Sequence, residues 1–213
     1  MNISVVLFFI HTVIATLLLG IKFANRKDLA FKYFGIGLLL NAVAFASWTF
    51  GIIRPENFLI SVTIGAVLVL VSLVFFLCAS IQKLQPTIRL FLTGLGVVVA
   101  LGIFIVGHMD PNYAYISPEG LFFFNLGPMV QMLYIFGLAL AALPAIEIVA
   151  SKFTSSYASL IRYGFIAEVA GGIMLLTSKD SQVLYITGWI IGLVYLWLWT
   201  TLLFSKKAWS NIN

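Results

Sequence analysis

The sequence predicts an all-α membrane protein: one bundle of seven spanning helices, with the N-terminus outside and the C-terminus inside. Three observations predict it. The first is composition. Of 213 residues, 62% are hydrophobic and 9% charged, with mean hydropathy +1.11, whereas a soluble domain carries about 25% charged residues. So much apolar surface needs lipid around it. The second is the length of the apolar runs, seven of which approach or exceed the roughly 20 residues that a helix needs to cross a bilayer. The third is charge. Ten of the twelve Lys and Arg residues fall on one side of the alternating connections: Lys22, Arg26, Lys27, Lys32, Lys83, Arg89, Lys152, Arg162, Lys206 and Lys207. Only Arg54 and Lys179 fall on the other. The excess marks the inner face, and an odd number of spans then places the termini on opposite sides.

The elements follow in chain order, as one domain over 1–213. The first span, 3–23, has no basic leader or A-x-A-like site before it and reads as retained rather than cleaved. Spans 30–52, 58–82 and 88–107 follow the breaks "ANRKD", "RPEN" and "QKLQP". The fifth, 120–149, follows the one long connection, "HMDPNYAYISPEG". Spans 155–177 and 182–204 follow "SKFTSS" and "SKDS". Each break carries turn or charge signals. Runs such as "IGAVLVLVSLVFFL" are apolar on every side, which suits helices and not the alternating strands of a barrel.

Short connections leave no room for a soluble catalytic domain, so no enzyme activity is expected. The basic residues flank spans instead of clustering on a water-facing domain, which argues against nucleic acid. Cys78 alone can form neither an internal disulfide nor a cysteine metal cluster, and it reads as packing. The long external connection can fold over the bundle mouth, or its Tyr113 and Tyr115 can lie among the headgroups.

Ionisable groups inside a membrane cost a few kcal/mol and usually face the bundle interior. Glu168 is the leading one. Gly164, Gly171 and Gly172 share its helix face at i−4, i+3 and i+4, and small residues let helices approach closely. Two readings stay open: a group that binds a proton, cation or ligand, or a carboxyl that pins two helices. Arg162 lies about 240° around the same helix from Glu168, so it is expected to snorkel to the inner headgroups or to pair with Glu147 across the short fifth connection. That inner pair is expected to be structural or to relay a signal.

His11 lies in the first span, Asn41 in the second, and Asn125 and Gln131 in the outer half of the fifth, with Pro128 between them as an internal kink. His108 closes the fourth span. Two histidines without carboxylate ligands nearby in the same helices make a weak case for a metal or haem site, and none is expected. By topology, His11, Asn41, Asn125, Gln131 and Glu168 all fall between the outer third and the middle of the bilayer. The expectation is an outward-facing pocket, mostly apolar with a few placed polar groups, walled by aromatics such as Trp48, Phe122, Phe123, Phe124, Tyr134 and Trp189.

The seventh span, "QVLYITGWIIGLVYLWLWTTLLF", holds no lysine, so no retinal Schiff base can form and no cofactor is expected. The inner-face motifs of eukaryotic G-protein-coupled receptors are absent. So are phosphate-loop, H-E-x-x-H and G-x-S-x-G motifs. Two histidines are too few for a ceramidase-type zinc site, and spans one and two lack the prolines of a SWEET-type transporter.

The opening "LLLGIKFANRKDLAFKYFGIGLLLNAVAFASWTFGI" resembles the N-terminal seven-helix sensor regions of bacterial histidine kinases. The shared features are a basic first inner loop, a second helix ending near Trp48, and the N-out, C-in layout. The resemblance rests on architecture, and no binding residue carries over. It implies a sensor in a bacterial inner membrane, here as a stand-alone receptor or a subunit of a larger assembly, since no kinase domain follows Asn213. The expected function is receptor-like: a small ligand or proton enters the pocket, and the inner face signals to a partner. A proton- or cation-coupled carrier and a non-catalytic accessory subunit in the bilayer are the alternatives.

Overall fold

The computed structural model describes residues 3–108, 112–117, 122–177 and 182–210, without the side chains of 3–5, 8, 122, 168, 172–177, 182–185 and 188. Seven long helices dominate: α1 (Ile3–Ala24), α2 (Leu29–Ile53), α3 (Phe58–Ser80), α4 (Pro86–His108), α5 (Pro128–Ala150), α6 (Ser155–Thr177) and α7 (Gln182–Phe204). A short α8 (Lys206–Ser210) follows. Four of the long helices are long and apolar enough, over their described residues, to cross a membrane: α2, α3 with the 3-10 turn Pro55–Asn57 before it, α4 and α5. The described parts of α1 and α7 include shorter apolar stretches, Phe9–Ala24 and Trp189–Phe204. The chain is thus a helical membrane protein.

Among the described residues, one connection carries strands. Strands β1 (Ala114–Ile116) and β2 (Phe122–Phe124) pair antiparallel, Ala114 opposite Phe124 and Ile116 opposite Phe122. This corrects the fifth span. It was expected from residue 120 and instead begins at Pro128, so Phe122, Phe123 and Phe124 belong to a strand and Asn125 to the connection. The cause is local. Gly127 caps the helix in an extended conformation, φ −63° and ψ 154°. Pro128 lacks an N–H and has a fixed φ, which suits the first turn, where amide protons have no helical acceptor. Aromatic Tyr and Phe on either side favour the pleated pairing. Pro128 therefore starts the helix and does not kink it, and the proline inside α5 is Pro144.

The core is aromatic. Phe34 of α2 is fully buried. It meets Phe23 of α1 at 5.2 Å, Phe76 of α3 at 5.3 Å and Phe165 of α6 at 6.4 Å between ring centroids. Four helices thus converge on one ring, in the tilted and edge-on arrangements that aromatic quadrupoles favour. Gly65 shows how close the approach is. A Cβ there would collide with the Trp48 indole, whose Nε1 donates to the Val62 carbonyl at 3.3 Å.

The bundle has two unlike ends. The hairpin end carries β1 and β2 with the start of α3, the end of α4 and the start of α5. The tail end carries α8 with the end of α1, the start of α6 and the connections at 25–28 and 151–154.

Candidate functional site

At the hairpin end, the last turn of α4 delivers His108 into a buried cluster. Gly107 lets this happen, because a Cβ there would meet Val130 Cγ1 at 2.6 Å. His108 Nε2 lies 2.6 Å from the Tyr134 hydroxyl of α5. Tyr113, just before β1, sets its ring edge-on to the imidazole at 4.6 Å, and Phe104 stacks on the other side at 5.7 Å. The Tyr113 hydroxyl pairs with Thr63 Oγ1 of α3 at 2.8 Å. Thr63 in turn donates to the Leu59 carbonyl at 2.7 Å. The Tyr113 carbonyl accepts from Asn125 N–H at 2.6 Å, which closes the base of the hairpin.

His108, Tyr113 and Tyr134 are all buried. His108 Nδ1 is buried with no hydrogen-bond partner among the described residues. Burial pushes the Tyr113 phenol above its ordinary pKa, with the Thr63 bond working the other way. A run of contacts, Thr63–Tyr113–His108–Tyr134, therefore ties the hairpin to α3, α4 and α5.

Of the polar residues expected to share a pocket, Asn41, Gln131 and His11 each have a partner outside that set. Asn41 is buried and takes its own partner, accepting from Ser72 Oγ at 2.7 Å. Gln131 Nε2 donates to the Leu126 carbonyl at 3.0 Å, back toward the hairpin. Asn125 sits in the connection. His11 is exposed on the surface of the bundle, its Nε2 3.4 Å from Thr200 Oγ1 of α7. Buried polar side chains need a partner, and a neighbour supplies it here for Asn41 and Gln131.

Trp48, Phe123, Phe124 and Trp189, expected to wall that pocket, pack against other rings. Trp48 packs edge-on to Phe124 and Phe45 at 5.5 and 5.4 Å. Phe9 meets Trp189 at 6.4 Å, and Phe123 stacks on Tyr115 at 5.6 Å. Gly164 and Gly171 are buried. A Cβ on Gly164 would meet Leu198 at 3.4 Å, which places it at the contact of α6 with α7. The Glu168 side chain lies outside what the structure describes, and Gly172 is described only as backbone within α6.

The tail end is held by charges and one indole. Arg162 grips Glu147 with both arms, Nε to Oε1 at 2.7 Å and Nη2 to Oε2 at 2.9 Å. This is the planar, bidentate geometry of the guanidinium–carboxylate pair. Asp28 caps α2 by accepting from Ala30 N–H at 2.8 Å. Its other oxygen takes Lys152 Nζ at 2.7 Å, joining the first connection to the fifth. Trp209 of α8 is buried against Phe23 and Phe153, at 5.1 and 5.7 Å. Its indole donates to the Leu202 carbonyl at 2.9 Å. Lys22 and Arg26 lie over its ring at 4.9 and 5.5 Å, and Lys22 Nζ also donates to the Leu203 carbonyl at 2.6 Å.

His108, Tyr113, Thr63 and Trp209 escaped the sequence reading of the site. Two signals bear on them. "YAYIS" and "LFFFN" flank a Pro–Glu–Gly segment, which is a hairpin pattern. Trp209 stands among lysines just past the last span, a position that favours cation–π contact.

Comparison with known proteins finds no family model, no curated protein and no solved structure that matches this chain.

Proposed function

We propose that the protein is a receptor-like, seven-span membrane protein whose hairpin end takes the input and whose tail end carries the output. The observation that supports this reading most is the run Thr63–Tyr113–His108–Tyr134, whose last three members are buried. A ligand or proton that displaces the hairpin must break contacts to three helices at once. Such an event gains effect only through different affinity for the two arrangements, and a buried imidazole beneath a loop is a group whose surroundings differ sharply between them. Alternating α3, α4 and α5 run from this end to the other, where Glu147, Arg162, Asp28 and Lys152 are partly exposed to a partner. The excess of basic residues supports a tail end at the inner face, and the likeness to bacterial sensor regions supports a bacterial inner membrane. The layout resembles the seven-helix sensor regions of histidine kinases. Glu168 of α6 stays in the proposal as a second candidate input group.

Native mass spectrometry of the purified chain tests this, with wild type beside His108→Ala, Tyr113→Ala and Glu168→Gln. A discrete small molecule carried by the wild type and lost in a variant is expected, and it identifies the input residue. Identical spectra with bulk lipid alone sink the receptor reading. Reporter fusions at Asn2 and Asn213 should map to opposite faces, and a same-side result breaks the seven-span topology.

A further inference from the structure

Little of α4 is buried: only Ile103, Gly107 and His108. At the hairpin end it is pinned to α5 through Gly107 and His108. Near the tail end it is held to α3, where Thr93 Oγ1 lies 3.6 Å from Cys78 Sγ. Between these points α3, α4 and α5 enclose a groove of about 460 Å³. Leu73 and Leu77 of α3, Leu92 and Gly96 of α4, and Leu140 and Pro144 of α5 are among its walls. Pro144 offers no N–H to the Leu140 carbonyl. The polar side chain on the walls is Ser80, at the tail-end rim.

That rim is cationic. Arg89 precedes Leu92, Gly96 and Ile103 by 3, 7 and 14 residues, so it continues the groove-lining stripe of α4 one turn toward the tail end. Its Nη1 donates to Gln82 Oε1 at 3.3 Å. Its Nε is buried with no hydrogen-bond partner among the described residues. Lys83 is exposed and follows Ser80 and Ile81, both of which line the groove. The stretch "SIQKLQPTIR" carries no acidic residue, and the tail-end carboxylates Asp28 and Glu147 are engaged by Lys152 and Arg162.

We propose that this groove binds an acyl chain of an anionic phospholipid, with the lipid phosphate held by Arg89 and Lys83. The groove has the size of a ligand site, which runs from about 300 to 1,000 Å³, and its walls offer an acyl chain nothing but hydrocarbon over most of its length. Arginine suits the other end. Its Nε–H and Nη–H form a fork that matches two phosphate oxygens. Basic pockets between spanning helices select acidic headgroups by the same electrostatics.

The test is native mass spectrometry of the full chain after equilibration with equal amounts of phosphatidylglycerol and phosphatidylcholine of identical acyl chains. Wild type should retain phosphatidylglycerol preferentially. Arg89→Gln and Lys83→Gln should each cut that preference roughly fivefold, the effect of one basic residue near an anionic lipid surface. Arg89→Lys should keep part of it. Gly137→Leu, which puts a side chain into the groove, should reduce retention of both lipids. Melting curves verify that each variant folds, and if Arg89→Gln does not, the exposed Lys83 decides the matter. Equal retention of the two lipids by wild type overturns the proposal. So does preference unmoved by loss of the basic residues, or a dimer of the chain in place of lipid adducts.

Discussion

The two ends of the bundle are built from different chemistry. The hairpin end closes with uncharged groups: a buried imidazole, two buried phenols and a half-buried threonine hydroxyl. The tail end closes with charged groups that stay partly exposed, and with one buried indole beneath two cations. The difference follows from chain connectivity. The hairpin end has a connection long enough to fold back over the helix ends and remove polar groups from solvent. The tail end has only short turns, so its side chains must reach across gaps, and long charged side chains reach furthest. One end is therefore held by what it excludes, and the other by contacts that remain open to salt, pH and partners.

The largest effect should come from the one place where the tail end resembles the core. Trp209→Ala removes a buried ring from Phe23, Phe153, Lys22 and Arg26, and buried Trp→Ala changes cost about 3–5 kcal/mol. Equilibrium unfolding in mixed detergent measures it. A cost well below that would show that α8 is peripheral and that the tail end rests on its charges alone. Tyr134→Phe should come next, at about 1–3 kcal/mol, because it strips His108 Nε2 of its partner while the imidazole stays buried. A variant as stable as the wild type in the same assay would mean that water reaches the histidine, and the contrast between a sealed and an open end would fail.

Much of the helical layout was legible because it depends on hydropathy alone. Apolar runs of sufficient length need helices in lipid, whatever packs against them. The fifth span went astray because "LFFFNL" is as apolar as a helix, while its neighbours Gly127 and Pro128 fix where the helix begins. The direction of the pocket residues was not legible, for another reason. Depth in the bilayer is one coordinate, and whether two side chains meet depends also on their direction around each helix. Helices that are apolar all round carry almost no directional signal. Thus Asn41 and His11, assigned to one pocket, are respectively buried on Ser72 and exposed beside Thr200. The Glu147–Arg162 pair was easier to anticipate, since a connection of a few residues leaves two helix ends side by side in any packing.

Asp28 should sharpen the contrast through pH. The Lys152 ammonium, hydrogen-bonded to it, holds its carboxyl below the ordinary value of 3.8. Burial works against this, and the Ala30 amide adds to it. A folded-state pKa below the unfolded one gives stability that is fully present above the unfolded value and is lost as pH falls through the folded value. The unfolding midpoint should hold between pH 7 and about 5 and drop below about 4. Asp28→Asn keeps an acceptor for the α2 cap but loses the charge, so its profile should be flatter in that acid range. The total should stay under about 1 kcal/mol, because both partners are partly exposed to solvent screening. A steep acid loss that survives in Asp28→Asn would assign the titration to another carboxylate.

The smallest effect should come from the pair with the best geometry. Glu147 and Arg162 meet in a bidentate arrangement, but their side chains are 60% and 39% exposed. Ion pairs this open gain little over their separate contacts with solvent and pay side-chain entropy for their alignment. Glu147→Gln should leave the unfolding midpoint nearly unchanged at moderate salt, with any difference from the wild type shrinking further as salt rises and screening shortens the reach of the charges. A midpoint drop as large as that of Tyr134→Phe would mean that the pair lies below the headgroups, where lipid and not water surrounds it. The tail end would then be sealed as the hairpin end is, and the proposed output surface would have to be sought elsewhere. A silent substitution would instead leave Glu147 and Arg162 free to exchange each other for a charged partner at little cost in stability, which is what a surface that passes on a signal requires.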